Sequence, residues 1–108
     1  MSGGTPAQAL EAASLAFMNV LGLVCDPVAG LVAVPCAVRN AIQSVQALAC
    51  ADLALGGMVS PIPLDEVIEA MYRVGRMLPY QLRETALGGL AATTTGKALA
   101  EKILGGHA

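Results

Sequence analysis

The sequence contains no tryptophan, one phenylalanine (Phe17) and two tyrosines (Tyr72 and Tyr80). So few rings provide neither a stacking platform for nucleic-acid bases nor the aromatic belts of a bilayer interface. Charge is scarce as well. Only 13% of the residues are Asp, Glu, Lys or Arg, the six basic residues are scattered, and the net charge is -2. Without a basic stripe there is no footprint for phosphates, which argues against a nucleic-acid partner. The single histidine, His107, sits next to the last residue and is expected in a frayed terminus. No uncharged run reaches the roughly 18 residues a spanning helix needs. The most apolar stretch, 15–38, is interrupted by Asn19, Asp26, Pro27, Pro35 and glycines. Nor does a basic segment precede an apolar core at the start, so a secretion signal is not expected and the chain is assigned to the cytoplasm. Three cysteines, Cys25, Cys36 and Cys50, are an odd number for a disulfide framework, leaving metal binding or plain burial as their uses.

What is abundant is small and aliphatic. Of 108 residues, 56% are hydrophobic, and the mean hydropathy is +0.66. A chain of this length builds one core at most, and this one is more apolar than its own core requires. The surplus is expected to meet another chain or a further segment.

The pattern predicts an all-α fold of about four helices in one domain spanning 1–108. Thr5, Pro6 and Gln8 form a helix start, with Thr5 as cap, Pro6 at the first position and Gln8 completing a capping box. That helix is expected to end near Gly22. A connector follows, in which Pro27, Gly30 and Pro35 forbid a continuous helix. Being apolar, it is expected to be buried. A second helix from about Cys36 to the Gly56-Gly57 stop carries no charge between Asn40 and Ala51 and should be enclosed on most sides. A third, with Asp65 and Glu66 in its first turn and Arg73 and Arg76 in its last, suits the macrodipole. After Pro79, a glycine-bearing connector leads to a last helix capped by Thr94 or Thr95, running to Gly105-Gly106.

Cys25 and Cys36 bracket the first connector with ten residues between them. That spacing matches neither the common zinc pairs nor the ferredoxin runs, so alone it fits two inert buried thiols better than a metal site. Position adds weight to metal: Cys36 opens a helix, whose positive end favours a negatively charged ligand sulfur, and Cys25 precedes an Asp-Pro turn that fixes its direction.

At these residues the sequence resembles a known family. The string Gly22-Leu23-Val24-Cys25-Asp26-Pro27-Val28-Ala29-Gly30-Leu31-Val32, then Val34-Pro35-Cys36 and Arg39-Asn40-Ala41, is similar to the cluster-binding segment of iron-sulfur L-serine dehydratases (L-serine ammonia-lyases). The likeness continues through Ile62-Pro63-Leu64-Asp65-Glu66-Val67-Ile68-Glu69-Ala70-Met71-Tyr72, Arg83-Glu84-Thr85-Ala86-Leu87-Gly88-Gly89-Leu90-Ala91 and Thr95-Gly96-Lys97, and so covers essentially the whole chain as the C-terminal part of an alpha subunit. The resemblance implies a 4Fe-4S cluster held by three cysteines. Its open iron acts as Lewis acid on the serine hydroxyl while a base removes the alpha proton; loss of water gives aminoacrylate, which decays to pyruvate and ammonia. Such enzymes serve amino-acid degradation and gluconeogenesis.

On this reading Cys25 and Cys36 are two of the three ligands. The third is expected about forty residues before Cys25, upstream of Met1, and Cys50, in mid-helix, is a buried structural thiol. Asp26, Arg39 and Asn40 are candidates for supporting the cluster or facing substrate. The alternatives for them are plain: Asp26 as a turn former and Arg39 as a cation neutralised by a nearby acid. Arg83 and Glu84 are expected to form an ion pair within their loop, and Gly88-Gly89 a tight turn, with close approach of the backbone to a ligand or cluster as the alternative. No catalytic base can be named. The resemblance further implies the remainder of the alpha chain and a beta chain or domain as partners, L-serine as substrate of the whole, a homo-oligomer, and a segment inactive by itself. The alternative is a non-catalytic helical assembly protein that keeps the dehydratase scaffold.

Overall fold

The computed structural model describes residues 3–105. His107 and Gly106, the expected end of the last helix, lie outside the described residues. Helix α1 (Pro6–Met18) begins where its start signals place it. The Thr5 hydroxyl accepts the Gln8 amide at 3.1 Å and Gln8 Oε1 accepts the Thr5 amide at 2.9 Å, so both halves of the capping box form. The helix ends at Met18 rather than near Gly22, because the Asn19 amide group folds back and donates to the Leu15 carbonyl at 2.8 Å. Three more helices follow, α2 (Cys36–Leu55), α3 (Leu64–Met77) and α4 (Thr94–Gly105). Among the described residues there is no strand, only one isolated bridge between Cys25 and Arg83. The all-α expectation therefore holds. None of these helices is long and apolar enough to cross a membrane.

Two compact units divide the chain. One comprises the residues up to Gly22 together with Ile42–Met77; the other, Leu23–Ala41 and everything from Leu78 onward. In the first, α1 packs on α3 around Leu15 and Val67, with Cys50 and Ala54 of α2 also buried. Polar groups that enter this core are satisfied. The buried Ser14 hydroxyl donates to the Ile62 carbonyl at 3.1 Å, Ser60 donates to the same oxygen at 2.6 Å, and the Ser60 amide reaches the Glu11 carboxylate at 2.7 Å. Val45 and Leu48 of α2, by contrast, are about two-thirds exposed. The enclosure predicted for α2 is not supplied by the described residues.

In the second unit α4 packs against two 3-10 turns, Val28–Gly30 and Gly89–Ala92. Its cap is Thr93, not Thr94 or Thr95: the Thr93 hydroxyl accepts the Gly96 amide at 3.0 Å and donates to the Leu90 carbonyl at 2.7 Å. Burial in the apolar connector is concentrated in Asp26, Pro27 and Val28, while Leu31, Val32 and Val34 are exposed. The ion pair expected between Arg83 and Glu84 is not formed; both are exposed, and among the described residues the ion pairs are Arg39–Asp26 and Arg73–Glu69. Their loop is held instead by the Thr85 hydroxyl, which donates to the Gln81 carbonyl at 2.5 Å and accepts the Leu87 amide at 3.2 Å.

Candidate functional site

Cys25 and Cys36 both belong to the second unit, both are half-buried, and both are free thiols. Cys25 is fixed by its main chain: its amide donates to the Leu82 carbonyl at 2.9 Å, and its carbonyl accepts the Glu84 amide at 2.9 Å. The Val28 amide then donates to the Val34 carbonyl at 2.8 Å, which closes the intervening loop. That bond returns the chain through the cis Val34-Pro35 peptide to Cys36 at the start of α2.

Asp26 is the centre of the arrangement. Its side chain is 1% exposed, and a buried carboxylate survives only if it is paired and hydrogen-bonded. Both conditions are met. Oδ1 accepts from Arg39 Nη1 at 2.6 Å, and Oδ2 accepts the Leu90 amide at 2.6 Å. Burial opposes ionisation, but the Leu90 amide and the hydrogen bond and charge of Arg39 outweigh it, so the carboxyl lies below the ordinary aspartate range. Arg39 Nη1 also donates to the Val24 carbonyl at 2.9 Å. The neutralised-cation alternative for Arg39 therefore describes the contact it makes, and Asp26 is more than a turn former.

Gly89 makes the approach possible. Its φ is +60°, and a Cβ there would fall on the Asp26 side chain, 2.7 Å from the Asp26 Cβ. The glycine pair is thus a close approach to a side chain as well as a turn. Sequence reasoning missed the Leu90 amide, because it lies 64 residues from Asp26 and an amide carries no residue-type signal. The Gly88-Gly89 pair was the available hint. Asn40, next to Arg39, is exposed and takes part in an interaction of its own. Cys50 belongs to the first unit and is 3% exposed.

Cys25 and Cys36 are half-buried free thiols of the residue type that metals take as donors, on segments that Arg39 ties together. They do not make a complete set: among the described residues no three Cys, His, Asp or Glu side chains group as an ion would need.

Residues 1–91 match the family model described as serine dehydratase alpha chain. The chain is 58% identical over 106 residues to the probable L-serine dehydratase alpha chain of Bacillus subtilis, covering 98% of this chain and 35% of that protein. It is 62% identical over 104 residues to the probable L-serine dehydratase alpha chain of Latilactobacillus sakei, covering 96% of this chain and 50% of that one. With the L-serine dehydratase alpha chain of Peptoniphilus asaccharolyticus the identity is 54% over 104 residues, or 96% and 36% of the two chains. The chain thus spans between about a third and a half of the length of these relatives. No solved structure matches it significantly. With the family model matched over most of its length and relatives this similar, the chain belongs to the serine dehydratase alpha chain family.

Proposed function

We propose that this chain is the cluster-binding C-terminal portion of an L-serine dehydratase that deaminates L-serine to pyruvate and ammonia, with Cys25 and Cys36 as two ligands of a 4Fe-4S cluster. The observation that carries the reading is the tying of the two cysteine segments into one unit, with Arg39 Nη1 bonded to the residues on either side of Cys25. Family membership supports the substrate. When bound, the cluster supplies an open iron that polarises the serine hydroxyl as a Lewis acid.

The chain's own residues hold and orient. The Leu82 carbonyl and Glu84 amide fix the Cys25 backbone, and α2 carries Cys36. The third thiol, the catalytic base and the groups that recognise the serine carboxylate and amine belong to the rest of the alpha chain and to a beta chain or domain. The segment alone is therefore inactive. Three free thiols suit a reducing cytoplasm.

The test uses the complete enzyme carrying this segment, purified without oxygen. Cys25→Ser and Cys36→Ser should each lose cluster iron and serine turnover, while Cys50→Ser keeps both. Normal turnover in either of the first two refutes the assignment. The exposed Val45 and Leu48 favour burial of α2 against another surface, which also suits a non-catalytic assembly protein. An iron-free, well-folded oligomer formed by the purified chain would favour that second reading.

A further inference from the structure

We propose that Asp26 and Arg39 are a positioning pair that presets the spacing of the Cys25 and Cys36 segments for the metal cluster, an inference that rests on reading those cysteines as ligands. Arg39 Nη1 carries two hydrogens and uses them on the Val24 carbonyl at 2.9 Å and the Asp26 carboxylate at 2.6 Å. One nitrogen atom therefore straddles Cys25. Arg39 lies in the first turn of α2, three residues after Cys36, so the turn that carries the second thiol also carries the group that grips the first.

The grip is anchored from the opposite side. Asp26 Oδ2 accepts the Leu90 amide at 2.6 Å, and the Cys25 main chain is bonded to Leu82 and Glu84, so the Cys25 segment cannot slide along α2 without breaking several bonds. At 1% exposure for Asp26 and 26% for Arg39, water competes weakly for the pair. Segments held this way lose less freedom when a metal binds, which is how groups behind the direct ligands raise metal retention.

The experiment uses the complete enzyme loaded with iron and sulfide, in the parent and in Asp26→Asn, Arg39→Gln and the double variant. Three quantities are read at matched iron loading: the rate of iron release to a chelator, the electron paramagnetic resonance spectrum of the cluster after one-electron reduction by dithionite, and the melting temperature. Each single variant should release iron about tenfold faster, at the lower end of what such supporting groups contribute, with a shifted or broadened resonance. The double variant should be no worse than the worse single one, because both remove the same clamp. Ala98→Gly, which loosens the exposed face of α4 in the same unit, should melt earlier yet release iron at the parental rate.

Parental release rates in Asp26→Asn and Arg39→Gln overturn the pair, and so does equal acceleration in Ala98→Gly, which would make general loosening the cause. The parent reading fails separately: Cys25→Ser and Cys36→Ser that keep their iron remove the ligand assignment itself.

Discussion

Replacing Gly89 with alanine tests the closeness of Asp26 to the Gly89–Ala92 turn. Two costs are expected. At φ +60° an alanine sits in the left-handed region, which disfavours an L-residue by about 1–2 kcal/mol. Its Cβ would also lie 2.7 Å from the Asp26 Cβ, closer than side-chain atoms pack, so Asp26 has to withdraw from the Leu90 amide. Loss of a hydrogen bond to a buried charged group costs about 1.5–3 kcal/mol. Together these give about 2.5–5 kcal/mol, a large share of the roughly 5–15 kcal/mol by which a domain is stable. Gly30→Ala is the control, because Gly30 has φ +70° but no atom within 4 Å of a built Cβ, leaving only the backbone cost of about 1–2 kcal/mol. Urea denaturation followed by circular dichroism would measure both, with equal slopes confirming that the same unfolding is compared. If Gly89→Ala and Gly30→Ala agree within about 0.5 kcal/mol, the carboxylate does not occupy the space described and the reasoning fails.

Thr93→Ala should destabilise α4 by about 1 kcal/mol through loss of its cap, while Thr94→Ala stays within about 0.5 kcal/mol; thermal melts of the two variants decide it. The two ion pairs should also separate. Glu69→Gln, in an exposed pair with Arg73, changes stability by less than about 1 kcal/mol, whereas Asp26→Ala, which strands a partly buried guanidinium, costs about 3–5 kcal/mol in the same denaturation assay. Acid should act on the metal-free chain through Asp26. Burial disfavours its charge, but Leu90 and Arg39 prevail and the folded pKa is depressed, so its contribution is complete above the unfolded value near 3.9 and is lost as pH falls through the folded one. Denaturation midpoints measured from pH 6 down to pH 2 should fall less steeply below about pH 4 in Asp26→Asn than in the parent; parallel curves would count against it.

The helices were legible because their signals are local. Thr5, Pro6 and Gln8 lie within one turn, and Gly56-Gly57 directly follows α2. The cap of α4 was misplaced by one or two residues because Thr93, Thr94 and Thr95 are chemically alike. What distinguishes them is backbone geometry: Thr93 is extended, with ψ 158°, and its hydroxyl also reaches back to Leu90. The Arg83–Glu84 ion pair was inferred from adjacency in sequence. Neighbours of opposite charge gain little in water, and here Glu84 takes a φ of +60° while its amide bonds to Cys25. The cysteines could be singled out by their surrounding string, but the pieces that hold the Cys25 segment come from chain positions about sixty residues away, and loop-to-loop contacts leave no periodicity to read.

Arg39 shows how a sequence oddity becomes a structural reason. An arginine in a helix with no charge from Asn40 through Ala51 has no helical partner to satisfy it, and Asp26, buried in an apolar connector, has the complementary deficit. Each alone would be costly to bury; together, with the Val24 carbonyl and the Leu90 amide, they form a closed hydrogen-bonded set in which no buried side-chain polar atom among the described residues lacks a partner. Replacing such a pair by apolar residues often maintains or raises stability, so fold stability alone gives weak reason for it. Apolar side chains would hold the two segments with broad, non-directional contacts, whereas the two bonds from Arg39 Nη1 to the residues flanking Cys25 define one geometry. In a chain so poor in charge, this pair ties the residues flanking Cys25 to the turn that opens with Cys36, and the iron-release comparison separates a need for that direction from stability.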